Sequence, residues 1–287
     1  MRKIVALVLS VVVGTLQAAN QEISGTPMAN FNNANILIGY HGKKKIGCPE
    51  QSSKTAIILA TGQSNAGNYA GQRYESQHGN AVVNYFAGNC YLAASPLLGS
   101  GGLGGEPWTP LANRLIESKV FEQVIIIAAG YAGEGIESWL PSPSNRAYNA
   151  LSNTLDELSF SNKYKITHIL WVQGETDYMR NTPEASYRMK FGDVLGYLRK
   201  HTDAPVFVAL STKCYQGTNY NRDNPVSRAL KSLTTTYGGV HPGPNTDELL
   251  LDIDRQDDCH LGWSGVEKVA TEWAQVLSRY ESIKNRR

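Results

Sequence analysis

A chain of 287 residues with 27 basic and 25 acidic side chains is close to neutral, which argues against nucleic acid or an acidic membrane surface as its main partner. It is long enough to bury a large core and falls within the range of a single α/β domain.

The first residues are Met1-Arg2-Lys3, followed by the apolar run Ile4–Leu9, a second run Val11–Val13, and the small pair Ala18-Ala19. A charged start, a short apolar stretch and a small-residue end form the pattern of a secretory signal peptide over residues 1–19. Ser10 and Gly14 interrupt the apolar run, which falls short of the roughly 20 residues that a spanning helix needs. The expectation is a periplasmic or secreted protein without stable membrane insertion. Without that leader the chain holds 25 basic and 25 acidic residues. Four cysteines remain (Cys48, Cys90, Cys214 and Cys259), and their even number in an oxidising compartment predicts two disulfides, with three pairings open by count. Their spacings match no zinc-ligand pattern.

Residues 20–54 are polar and rich in Asn, Gly and Lys, and read as an irregular N-terminal extension. From residue 55 to 287 short apolar runs alternate with longer amphipathic ones, as in a single domain. Ala56–Ala60, Ala81–Phe86, Val124–Ala129, Ile166–Val172 and Pro205–Leu210 read as buried strands. Trp108–Ser118, Ala147–Leu158, Pro183–Lys200 and about Ser264–Tyr280 read as helices, the third opening on a proline at a helix-entry position. Near-continuous apolar strands separated by helices predict an α/β three-layer sandwich: a central, mostly parallel five-stranded sheet flanked by helices. In such folds ligands bind beyond the carboxyl ends of the strands.

Three motifs follow those ends or lie in the last loop. The first strand runs into Gly62-Gln63-Ser64-Asn65, where Gly62 permits a tight turn and Ser64 stands above the sheet, beside N–H groups able to receive an oxyanion. Taken alone, Ser64 could equally be a helix cap. The fourth strand runs into Gln173-Gly174-Glu175-Thr176-Asp177, a side-chain amide and two carboxylates at the same edge. Asp257-Asp258-Cys259-His260 places a carboxylate three residues before a histidine, close enough to fix its tautomer and stabilise its imidazolium. Each motif has a bland reading as a polar loop. Their joint presence at one edge supports catalysis.

These blocks resemble the signatures of SGNH hydrolases, in particular the sialate O-acetylesterase-like and acetylxylan esterase-like carbohydrate esterases, over roughly residues 55–275. The resemblance implies an SGNH, flavodoxin-like fold and a serine esterase of short acyl groups on carbohydrate. It makes Ser64 the nucleophile, His260 the base and Asp257 its orienting acid, with Glu175 as a second acid that could assist or replace Asp257. The oxyanion would be held by the N–H of Ser64, the amide of Gln173 and the N–H of Gly105, chosen from the glycine-rich loop 99–105. No metal or cofactor is needed in that mechanism. A polysaccharide O-acetyltransferase of the same fold would share the triad, and a non-catalytic carbohydrate-binding protein would tolerate its loss. A conventional α/β-hydrolase is disfavoured because Ala66 stands where Gly-x-Ser-x-Gly needs its second glycine. Tyr69, Tyr74, Tyr131, Trp139 and Tyr178 follow strand ends or motif loops, and one or two of them are expected to touch a sugar.

The cysteine pairing follows from the same placement. Cys214 lies just beyond the fifth strand and Cys259 directly precedes His260, whose loop must return to that edge to meet Ser64. The expected bridges are therefore Cys214–Cys259 and Cys48–Cys90.

Overall fold

The computed structural model describes residues 28–284 and 286, so the leader expected over 1–19 lies outside the described residues. Among the described residues there are ten strands: β1 (Ala29–Phe31), β2 (Leu37–Tyr40), β3 (Lys45–Ile46), β4 (Thr55–Gly62), β5 (Val82–Phe86), β6 (Asn89–Leu92), β7 (Gln123–Gly130), β8 (His168–Val172), β9 (Val206–Leu210) and β10 (Val240–Asn245). The helices are α1 (Trp108–Glu117), α2 (Arg146–Ser161), α3 (Glu175–Met179), α4 (Glu184–Leu198), α5 (Pro225–Thr236), α6 (Thr246–Leu249) and α7 (Trp263–Lys284).

Eight strands form one sheet in the order β10-β9-β8-β4-β7-β5-β6-β3. The neighbours from β10 to β5 pair parallel, and β6 and β3 add antiparallel pairs at one edge. Every residue of β4 is buried, because successive side chains enter cores on opposite faces. Ile57 and Leu59 pack among residues of α2, α4 and α5. Ile58 and Ala60 pack among residues of α1 and α7, with Trp108 and Trp273 filling the second layer. Each such aliphatic side chain taken from water contributes about 2 kcal/mol. The result is the expected three-layer sandwich.

The five expected strands are all present, but the sheet is wider. β10, which carries Pro242 and Pro244, was not among the expected strands. It is an edge strand, where one side has no partner and a missing N–H breaks no ladder. The polar segment before residue 55 is also more regular than its composition implied. β1 and β2 form a hairpin, β3 extends the main sheet through β6, and Leu37 is fully buried. Its carbonyl accepts from Gly99 N–H and its N–H donates to Ser100 O, tying the hairpin to the glycine-rich loop. Both expected disulfides are formed, Cys48–Cys90 and Cys214–Cys259.

Candidate active site

β4 and β8 are neighbours, and both end at the same edge of the sheet. Gly62 closes β4 with φ of 140°, and a Cβ there would lie 1.9 Å from the carbonyl oxygen of Val172, so only glycine lets the two strand ends meet. The chain then turns into a single 3₁₀ turn, Ser64–Ala66, anchored by Gln63 N–H on Val172 O at 2.9 Å. Ser64 is buried to 4 % exposure, and neither its Oγ nor its N–H bonds to another described residue. An unengaged N–H at the first position of such a turn is what an oxyanion needs.

Asp257 wraps His260. Its Oδ1 accepts the backbone N–H groups of His260 at 2.7 Å and Cys259 at 3.2 Å, and its Oδ2 meets His260 Nδ1 at 2.8 Å. Partial burial works against ionisation of this carboxyl, but the hydrogen bonds and charge of His260 and the Cys259 N–H outweigh it and hold its pKa below the usual carboxylate range. With Nδ1 committed to Asp257, Nε2 is left without a partner among the described residues.

The histidine loop is stitched to the serine turn. Asn65 Nδ2 donates to Cys259 O at 3.4 Å, Gly71 N–H donates to Leu261 O at 2.9 Å, and Gln256 Nε2 donates to Tyr69 O at 2.7 Å. The Tyr69 ring stacks on the imidazole with centroids 5.6 Å apart. On the other side, the Cys214–Cys259 bond fastens the same loop to the segment after β9.

Glu175 stands apart from this pair. It is fully buried, and its Oε1 accepts from Asn65 Nδ2 and Ser211 Oγ, both at 2.8 Å. Burial pushes its pKa up, against those hydrogen bonds. It holds Asn65, next to Ser64, and makes no hydrogen bond to His260 among the described residues, so Asp257 is the carboxylate bonded to the imidazole.

Two expected oxyanion donors are differently employed. Gln173 is fully buried; its Nε2 faces Asp177 Oδ2 and Glu134 O, and its Oε1 accepts from Tyr187 Oη at 2.6 Å. That amide braces the loop from inside. Gly105 donates its N–H to Ala70 O at 2.7 Å, so this donor is taken. Glycine is required there for a different reason: a Cβ would come within 1.5 Å of Gln72 O as the loop packs against the segment following Ser64. Within the same loop the N–H of Gly102 makes no hydrogen bond to a described residue.

The spacing of motifs gave no hint of Gln63 or Tyr215. Gln63 Oε1 accepts from Thr176 N–H at 3.1 Å, joining the serine turn to the loop after β8. Tyr215 is 57 % exposed and lies edge-on to His260 with centroids 6.2 Å apart. Its position directly after Cys214 was the available signal. Of the aromatic residues expected near substrate, Tyr131 and Trp139 are buried in the core, Tyr178 lies edge-on to Tyr220, Tyr74 packs against the second core, and Tyr69 flanks the base. Among the described residues, no group of three or more His, Cys, Asp or Glu is arranged to hold a metal ion.

The carboxyl edge of this parallel sheet gathers a serine turn and an Asp-x-x-His loop, and the chain falls in the class of carboxylic ester hydrolases. The family model for carbohydrate esterase, sialic acid-specific acetylesterase, matches residues 54–277, and the chain belongs to that family. No curated protein matches it in sequence. The fold is shared with solved structures of low identity. A protein of Arabidopsis thaliana superposes with a TM-score of 0.59 at 17 % identity, over 81 % of this chain and 99 % of that one. NanS gives 0.55 at 15 % identity, over 84 % and 99 %. A carbohydrate acetylesterase from Xanthomonas citri gives 0.52 at 17 % identity, over 79 % of this chain and 57 % of its own.

Proposed function

We propose that this enzyme removes O-acetyl groups from carbohydrate through an acyl-enzyme on Ser64. His260 Nε2 takes the Oγ proton as Oγ bonds to the ester carbonyl carbon. The oxyanion is received by the N–H groups of Ser64 and Gly102. The sugar hydroxyl leaves with the proton from His260. Water, deprotonated by the same imidazole, then frees acetate and restores Ser64. Asp257 keeps Nδ1 protonated and stabilises the imidazolium. Gln173 and Glu175 brace the loop and Asn65.

The observation that carries this reading is the hold of Asp257 on the histidine segment, two hydrogen bonds to His260 and one to Cys259, which leaves Nε2 without a partner among the described residues in a loop that Asn65 ties to the turn of Ser64, whose Oγ and N–H are both unengaged. The family description supports acetyl as the acyl group and a sugar, with sialic acid foremost, as the alcohol. Two disulfides support an oxidising compartment, and so export. Among the described residues no helix is long and apolar enough to cross a membrane.

The test is acetate release from O-acetylated sugars, with fluorophosphonate labelling as a direct probe of the nucleophile. Ser64→Ala should abolish labelling and lower turnover by at least about 10³-fold while the unfolding midpoint holds. A folded Ser64→Ala protein with near-normal turnover overturns the proposal.

A further inference from the structure

Asp257 accepts a fourth hydrogen bond that the triad does not require. Tyr215 Oη donates to Asp257 Oδ2 at 3.3 Å, the same oxygen that meets His260 Nδ1. The ring of Tyr215 stands edge-on to the imidazole at 78°. One residue thus touches both the acid and the base, and it does so from a third segment of the chain.

Its backbone is held in place for that contact. Tyr215 has φ of 60° and Asp258 φ of 61°, a conformation that side-chain-bearing residues adopt at a cost. Tyr215 follows Cys214 and Asp258 precedes Cys259, so the two left-handed residues flank one disulfide. The Tyr215 N–H donates to Asp258 O at 3.3 Å across that bridge. A strained pair kept in register by a covalent bond is a common mark of a segment whose geometry serves a site.

We propose that Tyr215 is a positioning residue of the catalytic pair: its hydroxyl holds Asp257 Oδ2, the oxygen that also meets His260 Nδ1, and so fixes the carboxylate against the imidazole. The inference rests on the reading of Asp257 and His260 as acid and base. The other titratable groups around the pair are Tyr69, stacked on the imidazole and under the influence of Arg146, and Asp258, which acts on Tyr215. Burial, together with Asp257 and Asp258, pushes the Tyr215 pKa up, so the phenol remains a donor throughout the working range.

The test is Tyr215→Phe, which keeps the ring and removes the hydroxyl, assayed for kcat and KM. Loss of one hydrogen bond of this kind lowers kcat by about threefold to tenfold. KM should move less than about twofold, because the hydroxyl acts on the catalytic pair and not on bound substrate. In an Asp257→Asn background the same substitution should have no further effect, because its action passes through that carboxylate. An unchanged kcat, a loss confined to KM, or an equal loss with and without Asp257 overturns the proposal. Fluorophosphonate labelling of the unsubstituted enzyme separates the two levels. If Ser64 is labelled and Tyr215→Phe is silent, only the role of Tyr215 fails. If Ser64 is not labelled, the underlying triad reading fails with it.

Discussion

Burial divides the labour of the two carboxylates around the nucleophile turn. Asp257 keeps its side chain 40 % exposed and its pKa low, so it remains ionised against the imidazole. Glu175 is fully buried with a raised pKa, and serves Asn65 and Ser211 through one oxygen. Their amide variants should therefore diverge. Asp257→Asn would favour the wrong imidazole tautomer and is expected to lower kcat on the order of 10³–10⁴-fold. Glu175→Gln keeps an acceptor of the same shape for both neighbours and should cost no more than about tenfold. The two are compared in one acetyl-ester assay with the unfolding midpoint recorded for each. A larger loss at Glu175 would transfer the role of orienting acid to it. The contact of Asp257 with His260 was legible in the sequence because three residues of spacing set its reach. Which donors are already engaged was not, because a motif names residue types without saying which N–H is taken. Gly105 and Gln173 fitted the pattern, yet Ala70 O and Asp177 hold their donors.

At the level of elements, short, near-continuous apolar runs revealed β4, β5, β7, β8 and β9, while β10 was hidden by its prolines and α5 by its short polar surroundings. Asn224-Pro225-Val226-Ser227 did carry a start signal for α5. Asn224 accepts from Ser227 N–H at 2.8 Å, and Ser227 Oγ accepts from Asn224 N–H at 3.1 Å, with proline at the first helical position. The cysteine pairing was legible because topology alone brings the segment after β9 and the histidine loop to one edge. The two bridges span nearly equal separations, 42 and 45 residues, so chain entropy assigns each about 4 kcal/mol. They differ in position. Cys48–Cys90 joins the N-terminal segment to β6, whereas Cys214–Cys259 pins the loop that carries His260. Replacing each pair by serine should therefore lower the unfolding midpoint by similar amounts, while only Cys214→Ser/Cys259→Ser lowers kcat strongly in protein that is still folded. Equal losses of kcat from the two pairs would reduce both bridges to structural staples.

Across the whole molecule, the catalytic edge depends on a sheet whose opposite end is locked by α7. His168, at the start of β8, is 1 % exposed, and its Nε2 meets Glu281 Oε1 at 3.1 Å. Phe207, Phe121 and Tyr280 pack around the imidazole. The hydrogen bond from His168, then its charge and that of Lys284, hold the Glu281 carboxyl below the usual range against the opposing effect of burial. A carboxylate whose pKa is lower folded than unfolded adds stability above its unfolded value, about 4.3, and that stability is lost as pH falls through the folded value. Glu281→Gln retains an acceptor but not the charge. It is expected to destabilise by about 1–2 kcal/mol near pH 6, a drop of a few degrees in Tm. Asp252, Asp254 and Asp257 also have lowered pKa values, so acid weakens the parent and the variant alike through them. Their contributions cancel in the difference between the two proteins, and the part belonging to Glu281 is isolated. Thermal unfolding of both proteins from pH 6 to pH 3 should show a gap that is constant above about pH 5 and closes below about pH 4. A gap that stays constant to pH 3 would mean that α7 is held by packing alone and that the His168–Glu281 pair adds no charge-dependent stability.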